Sequence, residues 1–457
     1  MSMLQIIATL ALLVLLIFSI VKKYNTTVVL LALSLIAYAG LTIANGSVMG
    51  DAGSGSAFFD IFEMIRQSAS GTMGGNVLII MSIYGYIVYM NHIKASDMFA
   101  TMVATPLKKI KRPYLLAAGL ILVGNLIKII IPSGISVAAL MIATLYPVLL
   151  KVGCSKATSA SAVLMSYLTV WGPSDASLYT ALSLAGVENV SVSEWFVQSQ
   201  IPVMLVTLAV VLAVFIPVSK FFDKRENAQP AQEALDSKTL KDIGVPYFYA
   251  FLPLLPLITI MIFSELVVGS IVISVVAACY FCLVVAVLIH TICQRKFKEC
   301  FNGVSVVFNG MGDYFKGPGI LLVFGTLFAS ALNGIGGMKL IVDGLTGLES
   351  GTAIAVAITT LLGIFVVGVT GVFNGNVSLI IPVMTSIIAS AGLPTLPFLH
   401  LGLIGCALGS AVTPVAGASL YIASATNVSI LTCVKRNLIP VICGGITAII
   451  VTMVFFA

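Results

Sequence analysis

The residues around Gly75 return around Gly317, and the same spacing of 242 positions relates other short patterns along the chain. The pair Asn91 and Ile93 recurs as Asn333 and Ile335, and Ala176-Ser177-Leu178-Tyr179 as Ala418-Ser419-Leu420-Tyr421. A duplicated chain builds one structural unit twice and packs the copies together. Because this one is strongly apolar, the arrangement it points to is the paired-repeat plan of secondary transporters.

With 59% hydrophobic and 9% charged residues, the chain lies outside the range of soluble domains. Its apolar stretches are about 20 residues long, enough to cross a hydrocarbon core of about 30 Å as helix, and they lack the alternation of a membrane β-strand. An all-α polytopic membrane protein is expected. The first stretch starts at Met3 without a basic leader and reaches Ile20 without a small-residue cleavage site, so it reads as a retained helix. A net charge of +6 would suggest nucleic acid in a soluble protein. Here the basic residues cluster beside helix ends, which is membrane topology and not nucleic-acid binding. Cys279 and Cys282 form a C-x-x-C pair inside an apolar span with no partner at metal-ligand spacing, and no disulfide is implied.

Full spans are predicted near 3–21, 26–45, 75–91, 157–182 and 198–220, then near 246–264, 268–291, 310–332, 398–426 and 437–456. Between the third and fourth crossing of each half lies a longer apolar segment, about 113–152 and 351–391. The first is interrupted by Pro132-Ser133-Gly134 and the second by Asn374-Gly375-Asn376. Each reads as a re-entrant helical hairpin, because non-helical backbone at that depth must line a cavity or be buried in protein. The expected fold is thus two inverted-topology repeats, 1–220 and 246–457, each of five transmembrane helices plus one hairpin. A cytoplasmic linker at 221–245 joins them. Two short amphipathic segments, about 57–70 and 95–111, can lie flat at the interface.

Charge tests the count of crossings. With the amino terminus outside, Arg66 and Lys339 are the basic residues of the outer loops, while Lys128 and Lys316 sit within or at the edge of apolar segments. The remaining nineteen of the 23 lysines and arginines fall inside. Both termini are therefore expected on the outer side.

Chemistry is expected where helices break within the membrane, since exposed amides and carbonyls must find partners. Half-helix amino termini favour carboxylates, and unwound carbonyls with side-chain oxygens suit sodium. At the hairpin tips Ser133, Asn374 and Asn376 supply polar groups, and Gly134 and Gly375 allow close approach. The fourth crossings break at Trp171-Gly172-Pro173-Ser174-Asp175 and at Thr413-Pro414-Val415-Ala416-Gly417, where proline removes an amide donor. Candidate substrate-binding residues are therefore Ser133, Gly134, Asn374, Gly375, Asn376, Ser174, Thr413, Pro414, Lys128 and Asn125. Candidate coupling-ion residues are Asp175, Pro173, Ser133 and Asn376. Asp175 is an acid within an apolar span, suited to carry a proton or ligate sodium. Lys128 has three readings: it neutralises an anionic substrate, pairs with Asp175, or snorkels to the interface.

No enzyme constellation competes. His92, His290 and His400 are scattered at membrane edges, and there is no H-E-x-x-H, Walker A or G-x-S-x-G. An ion gradient is the natural energy source in a chain without a Walker motif.

The chain resembles the DcuC-type anaerobic four-carbon dicarboxylate carriers of the larger ion-transporter superfamily. The likeness is carried by Pro113-Tyr114-Leu115-Leu116, the run from Met141 to Gly153, Gly375-Asn376 and the run from Ser410 to Gly417, with Asp175 matching an acid after the proline break. It departs at the tips, where Pro132-Ser133-Gly134 and Val372-Phe373-Asn374 carry fewer hydroxyls than the family pattern, and at Lys128, which replaces an uncharged residue. The resemblance implies a bacterial inner-membrane carrier of succinate, fumarate or malate with both termini periplasmic. Elevator-type alternating access is expected, as exchange or coupled to protons or sodium, with no organic cofactor. In that mechanism the hairpins and broken crossings move against a scaffold of the remaining spans. A sodium/proton antiporter and a carrier of another organic anion are the alternatives. The expected partners are a small organic dianion and the lipid bilayer, with a homodimer left open.

Overall fold

In the computed structural model, residues 2–22, 24–50, 53–131, 133–187, 190–227, 239–263, 273–337 and 351–457 are described, with 268, 271 and 340 between them. Pro132, Glu188, residues 228–238 of the expected linker, Glu265 and Lys339 lie outside the described residues. Every regular element among the described residues is helical. Among the described residues, eight helices are long and apolar enough to cross a membrane, and a ninth is reached if one bent pair counts as a single span. Large apolar side chains such as Ile43, Phe281, Ile358, Val454 and Phe455 stand exposed on these helices, as lipid-facing residues do.

The first half opens with α1 (Ser2–Val21), α2 (Thr26–Asn45) and α3 (Ala57–Thr72), followed by α4 (Leu78–His92) and α5 (Ala95–Ala104). The amphipathic segment at about 57–70 is α3, which continues through a π-helical turn at Met73–Val77 into α4 with a bend of 46°. Gly75 makes the bend, with φ −100° and ψ −107° outside the helical range. A second π-helical turn, Phe315–Gly319, occurs 242 positions later. It follows α13 (Leu255–Ile262), α14 (Val275–Gln294), α15 (Phe297–Gly303) and α16 (Ser305–Tyr314), and it leads into α17 (Ile320–Ile335).

The hairpin of the first half is α6 (Pro113–Ile127), then α7 (Gly134–Thr144) and α8 (Tyr146–Lys151). That of the second is α18 (Gly351–Thr370) and α19 (Phe373–Ala391). The broken crossings are α9 (Lys156–Met165) with α10 (Ala176–Ala185), and α20 (Thr395–Ser410) with α21 (Gly417–Thr426). Residues 192–200 form the short helix α11 (Val192–Trp195) and a π turn that lead into the fifth crossing. The fifth crossing is α12 (Ile201–Arg225), and its counterpart is α22 (Ile430–Phe456). α12 extends into the stretch expected as linker.

Packing sorts these elements into three apolar cores. The largest joins hairpins, broken crossings and fifth crossings, and it also takes in Ile80, Ile83 and Ile87 of α4, Met98 of α5 and Leu322, Val323 and Ala329 of α17. The two smaller ones use the same face of equivalent helices: Tyr86, Tyr89, Met90 and Ile93 in one, Phe328, Ala331, Leu332 and Ile335 in the other, each pair 242 apart. α12 and α22 lie antiparallel. Arg436 meets Asp223 at one end, and Gly444 meets Val211 and Thr207 further along. Arg436 is fully buried, bonded to Asp223 at 2.6 Å and Glu226 at 2.6 Å, and Asp223 also accepts from Ser155, Thr158 and Tyr114. This network ties α6, α9, α12 and α22 into one body.

Candidate functional site

Each hairpin tip touches the break of the fourth crossing in its own half, and both contacts require glycine. Gly172 has φ +89°, and a Cβ on it would stand 2.8 Å from Ile129 at the first tip. Gly371, at the second tip, has φ +69°, and its Cβ would stand 2.8 Å from the amide nitrogen of Ala416. Positive φ is readily reached only without a side chain, and the close approach leaves no room for one. Ile129 and Gly371 are equivalent positions at the offset of 242, as are Gly172 and Pro414.

At the first tip the polar residues bind one another. Asn125 donates through Nδ2 to the carbonyls of Ile121 (2.8 Å) and Met165 (2.9 Å), and accepts through Oδ1 from the Thr169 amide at 3.0 Å. Trp171 Nε1 donates to the Asn125 carbonyl at 3.0 Å. Lys128 Nζ lies 3.4 Å from Asp175 Oδ2 and also donates to the Thr169 carbonyl, so of its three readings the pairing is the one realised. Both partners are buried, a costly placement that opposite charges offset. Asp175 Oδ1 caps α10 by accepting from the Ser177 amide at 3.0 Å and from the Ser177 hydroxyl. Ser133 caps α7 through the Ser136 amide at 3.3 Å. Ser174 is half-buried within the break, and the Pro173 carbonyl accepts from Tyr179 at 2.8 Å.

The second tip is organised differently. Asn376 Nδ2 donates to Thr370 Oγ1 at 2.7 Å and to the Val372 carbonyl at 2.5 Å, which leaves its buried Oδ1 without a partner. Ser378 donates to the Asn374 carbonyl at 3.4 Å, and Thr413 Oγ1 accepts from the Val415 amide at 3.4 Å beside Pro414. No side chain caps α19 at Val372 or α21 at Ala416. At such starts the helix dipoles and first-turn amides favour an anionic group. Gly134 packs on the Tyr167 ring of its own half, and across the halves Gly417 meets Ile135, so the amino ends of α7 and α21 meet. Gly375 abuts Thr26 at the start of α2.

Several groups at the site escaped the sequence reading. Gln200 Oε1 accepts from the Gly172 amide at 2.9 Å. His400, expected at a membrane edge, is fully buried with Nε2 2.7 Å from the Val170 carbonyl, because α20 carries it against the first break. Asn437 Nδ2 bridges the carbonyls of Ser161 (3.3 Å) and Ala411 (3.2 Å). Hydropathy gives no signal for a lone amide or imidazole that serves a break on another helix. Among the described residues no three His, Cys, Asp or Glu side chains group as metal ligands.

Comparison with known proteins matches this geometry to a lineage. The anaerobic C4-dicarboxylate transporter DcuC of Escherichia coli K12 is 24% identical over 442 residues, 95% of this chain and 93% of that protein. A probable anaerobic C4-dicarboxylate transporter DcuC of Vibrio cholerae is 25% identical over 402 residues, 88% of this chain and 86% of its own. Among solved structures, Neisseria gonorrhoeae MtrF superposes with a TM-score of 0.60 at 13% identity, covering 93% of this chain and 95% of that one. It is described as illuminating a class of antimetabolite efflux pumps. The Alcanivorax borkumensis YdaH transporter gives 0.57 at 13% identity, covering 93% and 98%. At such identities the structures speak for the fold alone. The relatives by sequence are named transporters, not enzymes. With the family described as C4-dicarboxylate anaerobic carrier, DcuC, matching residues 4–457, this chain is a membrane transporter and belongs to that family.

Proposed function

We propose that the protein carries C4-dicarboxylates such as succinate, fumarate or malate across the bacterial inner membrane, with a substrate carboxylate held at the second tip. The observation that carries this reading is the pair of uncapped helix starts at Val372 and Ala416, brought together by the Gly371 contact. Free amides at two converging amino termini suit a carboxylate and need no arginine. The names of the relatives supply the substrate class.

The chain works as an elevator of two inverted repeats, with both termini periplasmic. Support for inversion comes from the fifth crossings, α12 and α22, which are counterparts and run antiparallel. Support for re-entrant hairpins comes from the tips meeting breaks partway along the fourth crossings. The fifth crossings are placed in the moving body with the hairpins, because the Asp223–Arg436 network ties α12 and α22 to α6 and α9. On this reading the scaffold is smaller than all the remaining spans.

With the amino terminus outside, the conformation is inward-facing. Leu184, near the outer end of α10, packs on Gly325, ten residues or about 15 Å short of the end of α17. On the inner side, the second tip lies beside the first residue of α2. Both displacements have the hairpin body lowered toward the cytoplasm. Sodium/proton antiport is less supported, because the Asp175 carboxylate already holds Lys128.

Counterflow in liposomes tests the substrate: internal unlabelled succinate should accelerate uptake of labelled succinate. Sodium-driven proton flux without any counterflow by a C4-dicarboxylate would favour the antiporter instead.

A further inference from the structure

We propose that the Lys128 ammonium is a tethered stand-in for a coupling sodium ion, so that this carrier works without sodium. The uptake arm of the test below rests on the dicarboxylate reading, but the binding arm does not.

A sodium seat at a broken membrane helix is built from unwound carbonyls and side-chain oxygens. Between the first tip and the first break such oxygens converge: the Thr169 carbonyl and the Asp175 carboxylate. Lys128 Nζ donates to both, bringing one positive charge on a side chain that cannot dissociate. Asn125 fixes the arrangement by holding the Thr169 amide at 3.0 Å. The other carboxylate oxygen, Oδ1, is engaged by Ser177. These residues do not fit an added cation, because the lysine already meets their charge.

The second half supplies the internal comparison. At the offset of 242, Lys128 becomes Thr370, Asp175 becomes Gly417 and Thr169 becomes Ala411. Both charges are absent together, as expected if each exists for the other. The Ala411 carbonyl instead accepts from Asn437 Nδ2 at 3.2 Å, and Thr370 Oγ1 accepts from Asn376 Nδ2 at 2.7 Å. Each break carbonyl, of Thr169 and of Ala411, is thus met by a side-chain N–H donor. A lysine serving only to neutralise lipid or loop charge would have no reason to align with the break carbonyl.

The test uses the intact protein in sodium chloride against choline chloride at constant pH. Wild-type uptake of labelled succinate should agree within about twofold between the salts, and a fall of about tenfold in choline overturns the proposal. Should succinate not move in either salt, the dicarboxylate reading fails while melting in detergent still decides this one. Wild-type protein should melt at the same temperature in both salts. Lys128→Thr, which frees the Thr169 and Asp175 oxygens, should be protected by sodium by a few degrees, since selective binding stabilises by mass action. The double variant Lys128→Thr/Asp175→Gly, which copies the second half, should lose that protection. Sodium protection of the wild type, or equal melting of a folded Lys128→Thr in both salts, overturns the proposal. If Lys128→Thr does not fold, the wild-type arms decide alone.

Discussion

At the scale of single residues, the buried charge pair and the free amides make separable demands. Removing one member of a buried ion pair leaves the other uncompensated, typically at a cost of about 3–5 kcal/mol. Lys128→Met and Asp175→Asn should each lower stability by about that amount, while the two together should cost clearly less. Unfolding of the purified variants reads the difference, and additive losses would count against a direct pair. The carboxylate seat predicts the opposite balance. Ala416→Asp supplies the missing cap of α21, an improvement of about 0.5–2 kcal/mol, and fills the seat with the protein's own carboxylate. The variant should melt no lower than wild type yet lose most succinate uptake. Unchanged uptake would move the substrate away from that helix start.

What could be read in advance follows the same physics. An acid and a lysine in apolar sequence are conspicuous because each is costly alone, so Asp175 and Lys128 were visible and their pairing was one of few outcomes. Arg436 was not distinguishable, since a basic residue at a helix end looks like topology whether or not it is buried on Asp223. Gln200 and Asn437 cost little as exposed amides, and only the partner helix makes them necessary.

At the scale of elements, the breaks were legible because proline and clustered glycine disrupt helices wherever they fall. The hairpins were legible only in part. By length, α18 with 20 residues and α19 with 19 can each cross the membrane. Two crossings return the chain to the side a re-entrant hairpin returns it to, so the balance of basic residues cannot separate them. The join of α3 to α4 was missed because a π turn carries no hydropathy signal. Tip and break must fit closely for the hairpin reading to hold. Gly371→Ala places a Cβ against the Ala416 amide and forces a residue at φ +69°, a strain of about 1–3 kcal/mol. Uptake should fall about tenfold or more with the protein still inserted. Gly317→Ala has open space around the added methyl and should be nearly neutral, which makes it the control.

At the scale of the whole molecule, the proposed sliding needs a loosely filled seam between the hairpin body and α2, α3 and α17. Across it, Ser183 and Gly186 of the hairpin body face Tyr38, Ser68, Thr72 and Thr326 around a cavity of about 370 Å³. A seam with that much unfilled, polar space is not a close-packed core. The duplication at 242 residues indicated two related units, but it could not indicate that the fifth crossings are bonded to α6 and α9. That depends on Arg436 and Asp223, which lie 213 residues apart. The seam is tested by locking it. A Cβ built on Gly325 of α17 lies 3.4 Å from the Cβ of Ser378 of α19, near the spacing of about 3.5–4.5 Å that a disulfide needs. In a background without the eight native cysteines, Gly325→Cys with Ser378→Cys should cross-link on oxidation. Succinate uptake should then stop and return on reduction, whereas either single cysteine should leave oxidation without effect. Transport that continues through a fully formed cross-link would mean that these two bodies do not slide, and that access alternates by motion confined to the hairpin tips.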